Sequence, residues 1–156
     1  MPENSRASIQ NLDWEAAQTA NDLLASAQDY KADDVENLAT KTLGVIIEQG
    51  VFATVLYLHT QTKDKSPARV FLRELFAVLA RLYPGLPKPP TDQVLDQLGY
   101  LQKNVTNHLS RVLMVKQVWE QSLVYIRYGA RAQKKQTTTT DLPPAGEEAT
   151  EGSGDH

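Results

Sequence analysis

The segment Leu43-Gly-Val-Ile-Ile-Glu-Gln-Gly-Val-Phe-Ala-Thr-Val-Leu-Tyr-Leu58 constrains the fold more than any other part of the chain. It is apolar on both sides of Gly50, and no polar loop separates the halves. Leu43, Ile46 and Ile47 recur at helical spacing before the glycine, and Phe52, Val55, Leu56 and His59 do so after it. Glycine enters the left-handed conformation at the least steric cost, so Gly50 is expected to close one helix in that conformation. A second helix then leaves at a new angle. The spacing predicts a buried two-helix elbow within a small helical domain.

With 156 residues and 41% hydrophobic content, the chain can build one core and has little room for two. Cysteine is absent, which excludes disulfides, thiol nucleophiles and thiolate metal sites. Met-Pro-Glu-Asn-Ser-Arg at the start lacks the apolar run of an export signal, and the expected compartment is the cytoplasm. The apolar stretch around Gly50 carries Glu48 and Gln49 and is too short to span a bilayer, so no membrane partner is expected.

Helical periodicity organises the rest. Residues 1–10 read as a flexible lead. Asn11 or Asp13 caps a first helix running to about Tyr30, with Leu12, Ala16, Ala20, Leu23, Leu24 and Ala27 on one face. Asp33 and Asp34 favour the start of a second helix, which ends at Gly50. The third runs from Val51 to about Thr60. Ser66-Pro67 opens a fourth, and Pro84-Gly-Leu-Pro-Lys-Pro-Pro90 ends it with a stiff connection. Thr91-Asp92 is expected to cap a short fifth helix, and a long sixth spans roughly Thr106 to Ala132, with Leu109, Val112, Leu113, Val115, Val118, Trp119, Leu123 and Ile126 as its apolar residues. No alternating run bounded by hairpin turns occurs, so the expectation is an all-α bundle of about six helices over 11–136. From Thr137 onward threonine, proline, glycine, serine and acids dominate, which predicts a disordered acidic tail over 137–156.

Motifs for catalysis are missing. His59, His108 and His156 have no metal-ligating partner at helical spacing, and no nucleophile elbow, phosphate loop or dinucleotide fingerprint is present. The expectation is a protein that is not an enzyme and uses no cofactor, metal or small-molecule substrate. His59 is read as a boundary or core histidine.

Charge is more informative, because the net −3 hides segregation. Residues 1–60 hold nine acids against Arg6, Lys31 and Lys41; residues 61–136 hold thirteen bases against five acids; residues 137–156 hold five acids and no base. Arg127, Arg131, Lys134 and Lys135 share one side of the last helix beside Tyr128, and Lys63, Lys65, Arg69 and Arg73 form a second group at the start of the fourth. Such strips can contact phosphates without reading bases, and ordinary solvated helix surface is the favoured account of the second group. Lysine and arginine also complement the dipole at a helix C-terminus, an equally good account of the last helix.

In element order the chain resembles a known family, the small helical subunit of the type III-B CRISPR effector, the Cmr RNA-silencing complex. Ala16-Ala-Gln-Thr-Ala20 resembles that family's alanine-rich first helix. Val45-Ile-Ile-Glu-Gln-Gly50 resembles its helix-ending glycine turn, and Val51-Phe-Ala-Thr-Val-Leu-Tyr-Leu58 the apolar helix after it. Tyr125-Ile-Arg-Tyr-Gly-Ala130 occupies the place of the family's closing basic and aromatic run. The resemblance implies a non-catalytic subunit of a crRNA-guided ribonucleoprotein. Its partners would be larger filament subunits, neighbouring copies of itself, and the backbones of crRNA and target RNA. On that reading a basic side faces phosphates and an acidic side faces protein, and charge reversal at Arg127 and Arg131 leaves the isolated fold intact. The equivalent type III-A subunit and a helical adaptor without nucleic acid are the alternatives.

Overall fold

A computed structural model describes residues 11–141, with side chains through residue 136. Six helices follow one another: α1 (Leu12–Ser26), α2 (Ala32–Gln49), α3 (Val51–Thr60), α4 (Ala68–Leu82), α5 (Val94–Asn104) and α6 (Leu109–Asp141). No strand occurs among the described residues, and the all-α bundle expected from periodicity is what forms. The expected N-terminal lead and the tail from residue 142 lie outside the described residues.

At 33 residues, α6 is the spine, about 50 Å long at 1.5 Å per residue. Both α1 and α2 pack along it, α4 closes on α1 and α3, and α5 lies against α3. Ion pairs from Asp33 to Lys134 and from Glu36 to Arg131 set α2 antiparallel to α6. A Cβ added at Gly129 would come within 2.4 Å of Leu24 Cδ1, so the glycine lets α1 approach α6 closely.

Trp119 is fully buried at the centre, and its indole N–H donates to the Leu75 carbonyl at 2.9 Å. Phe76 meets Trp119 edge-on at 5.8 Å and Tyr100 at 6.3 Å, the geometry that aligns ring edge with ring face. The proline connection is fixed by α5. Tyr100 O–H donates to Pro87 O at 2.8 Å, and the buried Gln97 amide donates to Pro90 O at 3.2 Å, satisfying carbonyls that a proline-rich segment cannot pair within itself.

Gly50 forms the elbow, but not in the left-handed helical conformation. Its φ of 93° and ψ of −171° lie in a region open essentially to glycine alone. The Gly50 N–H bonds to Ile46 O at 3.0 Å and closes α2. Its carbonyl accepts from the Thr54 N–H at 3.2 Å and the Thr54 hydroxyl at 2.8 Å and opens α3.

The elbow is only half buried. Ile46, Val51, Thr54, Val55 and Leu58 enter the core, whereas Ile47, Phe52 and Leu56 stay 56%, 39% and 42% exposed. Because residues 51–58 are apolar on nearly every side, periodicity cannot choose the inward face; contacts with α2, α4 and α5 do. Leu95, Leu109 and Leu113 are likewise exposed. Helix ends differ too. Gln93, not Thr91 or Asp92, precedes α5, and α6 starts at Leu109 after a turn over 105–107. The α6 helix runs on through the four threonines to Asp141, past the expected boundary at 137. Propagating a helix costs little once it is nucleated, and no proline or glycine lies between Gly129 and Asp141 to break it.

Candidate nucleic-acid interface

The two basic groups meet different fates. On α6, Arg131 Nε donates to Glu36 Oε2 at 2.9 Å, and Lys134 Nζ lies 2.6 Å from Asp33 Oδ1. Hydrogen bonding to Asp33 holds the Lys134 ammonium above its ordinary 10.5. Arg127 is half-buried, and its Nε has no hydrogen-bond partner among the described residues. Tyr128 is 58% exposed, with the Arg127 and Arg131 guanidinium carbons 5.9 and 5.8 Å from its ring centre, within cation–π range. Tyr128 therefore does not anchor α6 against the bundle. Lys135 is exposed.

This arrangement revises the expected division of charge. Acids of the segment 1–60 and bases of the segment 61–136 meet along the solvent-facing edge of the α2–α6 contact, where Glu36 pairs with Arg131 and Asp33 with Lys134. Reversing Arg131 accordingly removes a contact between α2 and α6 as well as a surface charge.

Lys63, Lys65, Arg69 and Arg73 are not one strip. Lys63 and Lys65 lie on the α3–α4 connection, in a turn closed by the Ser66 N–H donating to Lys63 O at 3.0 Å. They line an open cleft of about 380 Å³ whose other wall comes from α2, with Asp34, Asn37 and Lys41. Arg69 faces a second cleft of about 360 Å³ with His59, Thr62, Thr91 and Asp92. Arg73 turns to the adjacent Glu74 at 3.3 Å. No carboxylate of the described residues lies within ion-pair distance of Lys41, Lys63, Lys65 or Arg69.

His59 is half-buried and 2.6 Å from Gln97 Oε1. Since the Gln97 amide nitrogen donates to Pro90 O, Oε1 accepts and His59 Nε2 carries the proton. The histidine ties α3 to α5, the boundary role expected of it. Two features were invisible in sequence. Lys41 belongs to the cleft, although it sits on α2, 22 residues before Lys63. Arg81 reaches Glu15 at 2.6 Å and the Thr19 hydroxyl at 2.9 Å, a half-buried tie between α4 and α1. Neither has a local signal, because each joins residues far apart in the chain.

Among the described residues, no group of three or more His, Asp or Glu is placed to hold a metal ion, and no helix is long and apolar enough to cross a membrane. Compared with models of known protein families, with curated protein sequences and with solved structures, the chain matches none.

Proposed function

We propose that this chain is a non-catalytic small subunit of a crRNA-guided type III CRISPR ribonucleoprotein, of the type III-B kind, supporting the guide–target RNA duplex within a filament of larger subunits. The observation that carries the reading is the Gly50 elbow. It joins α2 to α3 without a linker, in the order of the resembling family, and leaves Ile47, Phe52 and Leu56 on the surface. Large apolar side chains grouped outside the core suit a face covered by a neighbouring subunit. Cations without acid partners at the α3–α4 connection suit contact with an RNA backbone, where A-form shape and phosphates carry recognition. One copy binds weakly, and repetition along the filament makes the binding effective.

A second reading, a helical adaptor without nucleic acid, gains support from the pairing of Arg131 with Glu36 and of Lys134 with Asp33, which removes charge from the α6 strip. Affinity purification of the tagged full chain from its own cells separates the two. The ribonucleoprotein reading expects larger subunits and short repeat-derived RNAs in the eluate. An eluate with protein partners but no RNA after nuclease-free handling favours the adaptor.

A further inference from the structure

We infer that the cleft between α2 and the α3–α4 connection, framed by Lys41, Lys63 and Lys65, is the RNA phosphate-binding surface of this chain, in place of the α6 strip. The inference rests on the ribonucleoprotein reading above and assigns the contact to a surface within it.

Three observations converge. First, none of these ammonium groups has an acid within ion-pair distance among the described residues, whereas Arg131 and Lys134 on α6 are held by Glu36 and Asp33. A cation already engaged must break that contact before it can meet a phosphate; a free one need not. Second, the three come from two segments distant in sequence yet line one open cleft of about 380 Å³, with the polar side chains Asn37, Gln61 and Ser66 among its walls. Third, Lys65 has φ 67°, and it is the one non-glycine residue with positive φ among the described residues. That backbone carries a steric cost for an L side chain that glycine escapes. No carboxylate among the described residues lies within ion-pair distance of the Lys65 ammonium, which leaves it open to an external anion.

Asp34 and Asp64 share the cleft and reduce its formal charge from three to one. The surface therefore meets individual phosphates and generates no broad attractive field. Binding is expected to be weak, indifferent to base sequence and strongly reduced by salt.

The test uses the full chain and a fluorescently labelled RNA duplex of about 20 base pairs, followed by anisotropy at about 50 and 200 mM salt. Combined replacement Lys41→Ala, Lys63→Ala and Lys65→Gly is expected to weaken binding by roughly 10-fold at the lower salt and to flatten the salt dependence. Lys65→Gly alone is expected to raise Tm while weakening binding, a split that a purely structural lysine does not produce. A triple variant that binds like the parent overturns the cleft assignment and leaves the ribonucleoprotein reading standing. A parent chain that ignores the duplex at both salts overturns both. Displacement of the duplex by polyglutamate at equal charge concentration overturns it in favour of an acidic protein partner.

Discussion

Arg131 Nε donates to Glu36 Oε2 at 2.9 Å, joining the far part of α6 to the first turns of α2 across 95 residues of sequence. One turn further along, Lys134 meets Asp33, so two ion pairs clamp the same helix pair in one antiparallel register. Both pairs are exposed enough that water screens them, and their service is to orient α2 more than to stabilise it.

Reversing one partner should therefore cost little but measurably. Arg131→Glu places a carboxylate against Glu36 and is expected to lower stability by about 1 kcal/mol or less. The swap Arg131→Glu with Glu36→Arg should recover most of that loss. Urea unfolding of the two single variants and the double variant measures the coupling; additive losses would dissolve the pair.

Gly44 before the elbow and Gly50 at the elbow should respond in opposite directions. A Cβ at Gly44 meets nothing within 4 Å, and Gly44→Ala within α2 is expected to stabilise by about 0.5–1 kcal/mol. Gly50 also has open space around it, but its φ of 93° strains any side chain, so Gly50→Ala is expected to cost about 1–3 kcal/mol. Denaturant midpoints for both variants decide it, and equal midpoints would mean the elbow backbone relaxes freely.

Truncation at the centre should be severe. Trp119→Ala removes the largest fully buried side chain and its bond to Leu75 O, with an expected cost of about 3–5 kcal/mol. Trp119→Phe keeps the contact with the Phe76 ring and should cost less than half as much. Near-UV circular dichroism and thermal melts distinguish lost packing from lost fold.

Phenols contribute to the alkaline limb of stability alongside the Lys134 ammonium. Burial raises the pKa of Tyr57, Tyr83 and Tyr100 above the ordinary 10.0, and the hydrogen bond to Asp13 does the same for Tyr125. The folded state thus holds these protons more tightly than the unfolded chain. Their contribution is complete below pH 10.0 and is lost as pH climbs through the raised folded values. Phenolate absorbance followed alongside helical ellipticity should show ionisation and unfolding advancing together above that pH; phenols titrating freely in an intact fold would contradict it.

The exposed elbow face should matter to assembly alone. Ile47→Lys puts a cation in the last turn of α2, where it complements the helix dipole, and stability is expected to stay within about 0.5 kcal/mol of the parent. On the proposed ribonucleoprotein reading, recovery of larger subunits with the tagged variant is expected to fall. Unchanged recovery would show that nothing docks on that face.

By itself the sequence determined the helical class, the order of six helices and the place of the elbow. Each of these depends on interactions between residues three or four apart or on the backbone freedom of one glycine. Val51 and Thr60 bound α3 where periodicity puts them, and His59 lies at a boundary as its position beside an apolar face implies. Tertiary structure alone decided which side of α3 is buried, because residues 51–58 are apolar nearly all round and only packing against other helices breaks the tie. It also decided the fate of the charges. Periodicity puts Arg131 and Lys134 on one side of α6, but whether that side meets solvent or Glu36 and Asp33 depends on how α2 docks. The union of Lys41 with Lys63 and Lys65 has the same origin, since a cleft between distant segments exists only once the chain has closed on itself.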